Sequence, residues 1–248
     1  MKKESFRIAT FNIGDFTGLG FAPGSEEGKT AIRATLAGVR ADLWALQEDV
    51  GYYCKETKED PYTAVYGAWK NYARRGRGDY NYKAFLSDLP ISDVEEISFA
   101  GDMIFRHTFF LHATVNLGGH EVHLYNLHLD WSDKVVREEQ TRQVLAAAAD
   151  KEYCIIIGDM NPDDYINNGE RVSGRCTMAD ELPRFTGAGY IPANMGEFGT
   201  FATILDDEGV RPCDHIFITK NMRFLAVDRV ADPWMNDHAI LWADIAFV

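Results

Sequence analysis

Six short stretches of this chain each place a carboxylate, an amide or a histidine at one end of an apolar run. They are spread from one end of the sequence to the other. They read Ile8-Ala9-Thr10-Phe11-Asn12, Trp44-Ala45-Leu46-Gln47-Glu48, Tyr125-Asn126-Leu127-His128-Leu129-Asp130, Ile155-Ile156-Ile157-Gly158-Asp159-Met160-Asn161, Cys213-Asp214-His215-Ile216-Phe217 and Asn236-Asp237-His238. Charged groups at the ends of buried runs are costly unless they are paired or bind a metal. Six such points in one chain therefore imply a fold that gathers them into one site. Their chemistry suits a hard divalent cation and a phosphate ester.

Composition narrows the class. The chain has 248 residues, 46% of them hydrophobic, which is enough for a sizeable globular core. Its net charge of −13 argues against a broad basic nucleic-acid footprint. A local basic rim or a bound metal can still invert the field at a cleft, so nucleic acid stays among the partners. No window holds the roughly 18 apolar residues a membrane span needs. The opening Met1-Lys2-Lys3-Glu4-Ser5 has no apolar signal segment, so the expected location is cytoplasmic, with export after signal removal as the alternative. No stable membrane association is expected, and the chain is expected to be a monomer. Cys54, Cys154, Cys176 and Cys213 match no zinc spacing and are expected to be reduced, with Cys154 a small core residue.

Strands are expected at Phe6 to Ile13, Leu43 to Gln47, Lys83 to Leu86 and Val94 to Phe99. Thr108 to Val115 and Glu121 to Leu127 should pair around Leu117-Gly118-Gly119-His120. Tyr153 to Ile157 is continuously apolar and should be buried on both faces. Ile216 to Thr219, Phe224 to Arg229 and Ile240 to Phe247 complete the strands. Thr30 to Val39 and Val135 to Ala149 read as helices. Thr17–Gly28, Lys55–Gly78 and Pro162–Arg175 read as long irregular stretches and candidate substrate loops. With no linker or repeat, residues 1–248 read as one domain.

Several motifs keep a recognisable order. Phe11-Asn12, Leu46-Gln47-Glu48, Phe85-Leu86-Ser87-Asp88-Leu89-Pro90-Ile91, Asn126-Leu127-His128-Leu129, Gly158-Asp159-Met160-Asn161, Asp214-His215-Ile216-Phe217 and Asp237-His238 follow one another along the chain. Together they resemble the endonuclease/exonuclease/phosphatase superfamily, the deoxyribonuclease I-like fold. Phe11, Met160 and Asn236 stand where that family usually has Trp, Phe and Ser. The resemblance implies an α/β fold, a four-layer α-β-β-α sandwich of two mainly antiparallel sheets flanked by helices. It also implies a Mg2+-dependent phosphoric ester hydrolase, with Mn2+ possible.

Magnesium is bound by few carboxylates and keeps several waters. Glu48, an acceptor-only side chain at a strand end, is the best direct ligand. By resemblance, Asn12 and Asp237 complete or support the metal shell. His238 is the candidate general base, since imidazole titrates near neutrality, with Asp214 orienting it. Asp159 and Asn161 would position the attacking water, and His128 would donate to a non-bridging phosphate oxygen. The residues leave open whether His238 or Asp159 takes the water's proton. His107, His112, His120 and His123 read as ordinary structural histidines, and His215 should face away from Asp214.

Arg106 sits where family members often place a phosphate-contacting arginine. The stretch Trp69 to Tyr82 interleaves Arg74, Arg75 and Arg77 with aromatics, and reads either as a loop that could grip phosphates and stack on bases or as a solvated loop whose arginines pair with surface acids. Three readings follow: a nuclease or other nucleic-acid phosphodiesterase, an esterase for a small or lipid phosphate such as an inositol phosphate or sphingomyelin, and an inactive binding module. The intact motif set disfavours the last.

Overall fold

Two parallel strand pairs set the architecture. In the first, β1 (Phe6–Asn12) runs beside β2 (Leu43–Gln47), with Asn12 level with Gln47. In the second, β7 (His120–His128) runs beside β8 (Cys154–Asp159), with His128 level with Asp159. All other neighbours in the two large sheets are antiparallel. The computed structural model describes residues 4–14, 21, 25–49, 58, 60, 62–76, 81–101, 106–162, 166–167, 170–171, 178, 181–205, 211–232, 235 and 237–248.

The first sheet adds β3 (Asn71–Gly76), β4 (Tyr82–Ser87), β13 (Met222–Val230) and β14 (Ile240–Phe247), in the order β13-β14-β1-β2-β4-β3. The second adds β5 (Ile91–Ser98), β6 (Phe109–Leu117), β11 (Tyr190–Pro192) and β12 (Asp214–Thr219), in the order β11-β12-β8-β7-β6-β5. A short pair, β9 (Ile166–Asn167) and β10 (Glu170–Arg171), stands apart from both.

Alternation along each strand divides the apolar residues into three layers. Ile8, Leu43, Phe85, Leu111, Leu124, Ile155, Ile157, Ile216 and Leu241 meet between the sheets. On the far side of the first sheet, Ile32, Leu36 and Val39 of α1 (Glu26–Val39) pack on Phe11, Trp44, Leu46 and Leu86. On the far side of the second, α2 (Lys134–Ala148) and α3 (Glu181–Gly187) bring Val144, Ala148 and Phe185 against Leu127, Ile156 and Phe217. Each fully buried aliphatic side chain of this kind contributes about 1.5–3 kcal/mol. The result is the expected α-β-β-α sandwich, and β8 is buried on both faces, as its unbroken apolar run requires.

Local signals explain the element ends. Ser25 Oγ caps α1 by accepting from Gly28 N, with Glu26 and Glu27 in the first turn. The helix therefore starts four residues before the expected Thr30. Asp133 caps α2 through Val135 N at 2.8 Å. The β6–β7 hairpin turns on Gly118 and Gly119, both at positive φ, as a two-residue turn of this kind demands.

Three expectations are corrected. Within Lys55–Gly78, residues 71–76 form the edge strand β3 rather than loop, and Tyr62–Tyr66 form a π-helical turn. α3 and β11 went unforeseen because Pro183 and the short, unperiodic sequence give neither pattern. Within Pro162–Arg175, β9 and β10 pair. Cys154 and Cys213 are buried, while Cys54 and Cys176 lie outside the described residues. Among the described residues, no helix is long and apolar enough to cross a membrane.

Candidate active site

The parallel pairs bring four strand ends to one edge of the sandwich. β1 ends on Asn12, β2 leads into Glu48, β7 ends on His128 and β8 ends on Asp159. The antiparallel partners begin at that same edge, so Asp214 opens β12 and His238 lies just before β14. A polar layer of Thr10, Gln47 and Asn126 separates this group from the apolar interior. Gln47 Nε2 donates to Asn126 Oδ1 at 2.7 Å, and Asn126 Nδ2 donates to Leu46 O and Ala84 O at 3.0 Å each, joining the sheets.

Asp159 is the centre of the group. Its Oδ2 accepts from Asn12 Nδ2 at 3.1 Å and lies 3.6 Å from both His128 Nε2 and His238 Nε2. The other ring nitrogen of His238, Nδ1, is 2.9 Å from Asp214 Oδ2. Glu48 Oε1 lies 3.4 Å from Asn12 Nδ2 and 3.7 Å from His128 Nε2. Asn161 donates its backbone N–H to Asp159 Oδ1 at 2.9 Å and its side-chain amide to Leu129 O at 3.0 Å. Asp237 is exposed at the rim. Thr203, absent from the sequence reading, braces the far side: its Oγ1 accepts from Asp214 N at 2.9 Å and its carbonyl from Ala239 N at 2.7 Å.

Charge in this cluster is unbalanced. Burial, with the neighbouring Asp159 and Asp237, pushes Glu48 up to about 7 against the pull of His238 and Asn12. Burial likewise raises Asp159, opposed by His238 and assisted by Asp214. His238 moves the other way: burial alone would lower it, but Asp214 and Asp159 hold it well above its ordinary value. Among the described residues, Asp214 Oδ1 and His128 Nδ1 are buried without a hydrogen-bond partner. Asp159, Asp214 and His238 each offer a donor atom, all within 4.8 Å of one another. Several oxygen donors short of positive charge are the donor set a divalent cation fits.

Two residues read as ordinary or passed over belong to this region. His107 stacks on His128 with ring centroids 3.6 Å apart, and burial drives it down to about 3. Lys83 is fully buried, 4.1 Å from the centre of the Phe109 ring, and bonds Asn81 Oδ1 at 3.3 Å. Burial pushes it down to about 7, against the opposing charges of Glu96 and Glu48. Lys83 sits level with Gln47 on the inward face of β4, and a lysine at such an inward position is the signal that marks it. Nothing local distinguishes His107. Burial, with His107, Lys83 and His238 adding to it, lowers His128 well below its ordinary value.

The arginines separate. Arg106 is exposed near the rim, with its guanidinium 4.5 Å from the Trp131 ring centre. Arg74 is tied down. It donates to Asp49 O at 3.1 Å, lies 3.6 Å from Asp49 Oδ2 and sits 3.5 Å from the Tyr82 ring centre. The buried Asp49 also takes hydroxyl bonds from Tyr66 and Tyr72, so this network anchors the turn that carries Glu48. The expectation that Trp69 to Tyr82 is a loop is corrected, since residues 71–76 form β3 and Arg74 is held by Asp49. Arg75 is exposed on β3, while Arg77 and Asn236 lie outside the described residues. His215 faces away from Asp214, as alternation requires, and contacts Pro212 O at 2.7 Å.

The fold recurs among solved structures. A protein described as endonuclease/exonuclease/phosphatase from Bacteroides vulgatus is 16% identical with a TM-score of 0.72, covering 99% of this chain and 100% of that one. One from Beutenbergia cavernae, also 16% identical with a TM-score of 0.72, covers 99% of this chain and 72% of that one. D. rerio TDP2 complexed with single-strand DNA product is 16% identical with a TM-score of 0.66, covering 98% and 99%. No curated protein sequence matches this one. The family model described as Endonuclease/Exonuclease/phosphatase family matches residues 9–234, and the chain belongs to that family.

Proposed function

We propose that this protein is a divalent-cation-dependent phosphoesterase that hydrolyses phosphodiester bonds in a nucleic acid or nucleotide. The observation that carries the reading is the line from half-buried Glu48 through the buried Asn12, Asp159, His238 and Asp214, closed by contacts of 2.9–3.6 Å from Asn12 onward. Glu48 and Asp159, with Asn12 beside them and Asp237 at the rim, would hold the cation. Magnesium suits these oxygen donors, and manganese is the substitute. When bound, it neutralises phosphate charge in a site where fixed charges act strongly.

The chain's own groups divide the remaining work. Asp159 would orient a water, its carboxylate held by the Asn161 backbone N–H. The line from Asp159 through His238 to Asp214 takes up that water's proton, and Asp214 fixes the imidazole's orientation. His128, kept neutral by burial, donates from Nε2 to a phosphate oxygen as charge builds there. The nucleic-acid preference is supported by the likeness to D. rerio TDP2 with its single-strand DNA product and by exposed Arg106 and Arg75. The net charge of −13 favours the second reading, a small phosphate ester.

Hydrolysis with magnesium of plasmid DNA, single-stranded DNA, RNA, an inositol polyphosphate, sphingomyelin and bis-p-nitrophenyl phosphate separates them. Glu48→Gln is the control. Nucleic-acid cleavage lost in Glu48→Gln supports the first reading, and turnover of only the small or lipid esters replaces it with the second. Magnesium should also raise the Tm of wild type but not of Glu48→Gln, a readout that needs no turnover.

A further inference from the structure

Trp131 is a large aromatic left 38% exposed three residues beyond His128. It is not loosely held. Asp130, 1% exposed, accepts from Ser132 N at 2.8 Å, Ser132 Oγ at 2.7 Å and Asp133 N at 3.1 Å through Oδ1. Its Oδ2 accepts from Arg106 N at 3.2 Å, its own N–H donates to Gln140 Oε1 at 2.8 Å, and Arg137 donates to its carbonyl at 3.1 Å. One buried carboxylate therefore positions both Trp131 and Arg106. Arg106 immediately precedes His107, which stacks on His128, so the pair lies just outside the stacked imidazoles.

We propose that Trp131 and Arg106 form a base-stacking subsite beside the scissile phosphate, so that the preferred substrate is a phosphodiester carrying an unpaired nucleobase. This rests on the phosphodiesterase reading above. Three features favour it over a surface accident. The turn is rigid, so little conformational entropy is lost when a ring stacks on it. The guanidinium already braces the indole, leaving ring surface to solvent and a cation for an adjacent phosphate. An indole presents a flat face that every base can meet, which gives binding without sequence preference. A base within a duplex has both faces covered, so single-stranded substrate is selected.

Two measurements test the subsite, one without chemistry. In an Asp214→Asn background, which suppresses turnover, binding of fluorescein-labelled octathymidylate is followed by anisotropy. Trp131→Ala should weaken it about 10-fold, within the range of base–aromatic stacking, and Trp131→Phe should restore most of the loss. No weakening overturns the subsite, whether or not the wild-type protein hydrolyses diesters. The second compares thymidine 5′-(p-nitrophenyl phosphate) with methyl p-nitrophenyl phosphate in the wild-type background. Trp131→Ala should raise KM about 10-fold for the nucleoside diester alone and leave kcat within about 3-fold. An equal effect on both diesters makes Trp131 merely structural. If wild type turns over neither diester while octathymidylate binding depends on Trp131, the hydrolytic reading fails and the subsite stands.

Discussion

Asp214 Oδ2 meets His238 Nδ1 at 2.9 Å across the join between the two sheets, Asp214 opening a strand of one and His238 preceding a strand of the other. The contact both orients the imidazole and raises its proton affinity. Asp214→Asn keeps the shape but removes the charge. Its kcat should fall about 10²- to 10⁴-fold, the range of acid–base and orienting groups, with the fold retained. Turnover of a diester with magnesium, alongside a circular-dichroism spectrum, checks it. Wild-type kcat would remove Asp214 from the proton line.

Gly158 precedes Asp159 for a steric reason. It sits at φ 138°, and a Cβ there would stand 2.1 Å from Leu127 O on the neighbouring strand. Gly158→Ala must strain the backbone and push β8 from β7. The cost should be on the order of 3 kcal/mol. Urea denaturation reads it, and an unchanged midpoint would contradict the geometry.

His215, whose side chain faces away from Asp214, gives the fold an acid sensitivity. Burial lowers its folded-state pKa from 6.5 to about 4, so the unfolded chain takes the proton first as pH falls. Its contribution is fully present above 6.5 and is lost through the window from 6.5 to about 4, at about 1.4 kcal/mol per pH unit. His215→Gln, which keeps a donor near Pro212 O, should flatten the stability profile across that window. Equal slopes in both proteins would remove His215 as the cause.

Lys83 acts in the alkaline range. Its folded-state pKa is lowered from 10.5 to about 7, so between those values the unfolded chain binds more protons and stability rises with pH. Lys83→Met removes the buried ammonium and keeps the stem packed on Phe109. The variant should be the more stable at pH 7, and its advantage should shrink by pH 9 at about 1.4 kcal/mol per unit. Denaturation at both pH values checks the sign. A pH-independent difference would place the cost in packing instead.

The strands that were legible in the sequence are those with one clear instruction: β2 and β14 at their expected bounds, and β8 from its unbroken apolar run. β3 was missed because an edge strand pairs on one side and tolerates Arg and polar residues, so Asn71–Gly76 carries no alternation to read. α3 was missed because seven residues containing Pro183 are too few for a helical period.

The sequence alone determined the family's motif order and which polar residues end apolar runs, because the cost of burying a charge restricts where such residues stand. Only the tertiary structure decided which of them meet. Asn12 and Asp159 are 147 positions apart yet touch at 3.1 Å, because two parallel pairs aim their ends at one edge. The same assembly placed His107 against His128 and Lys83 between the sheets, and bound Arg74 to Asp49 instead of leaving it to solvent. Long-range contacts leave no local pattern: a side chain's neighbours across two sheets are set by register and packing, which no window of sequence contains.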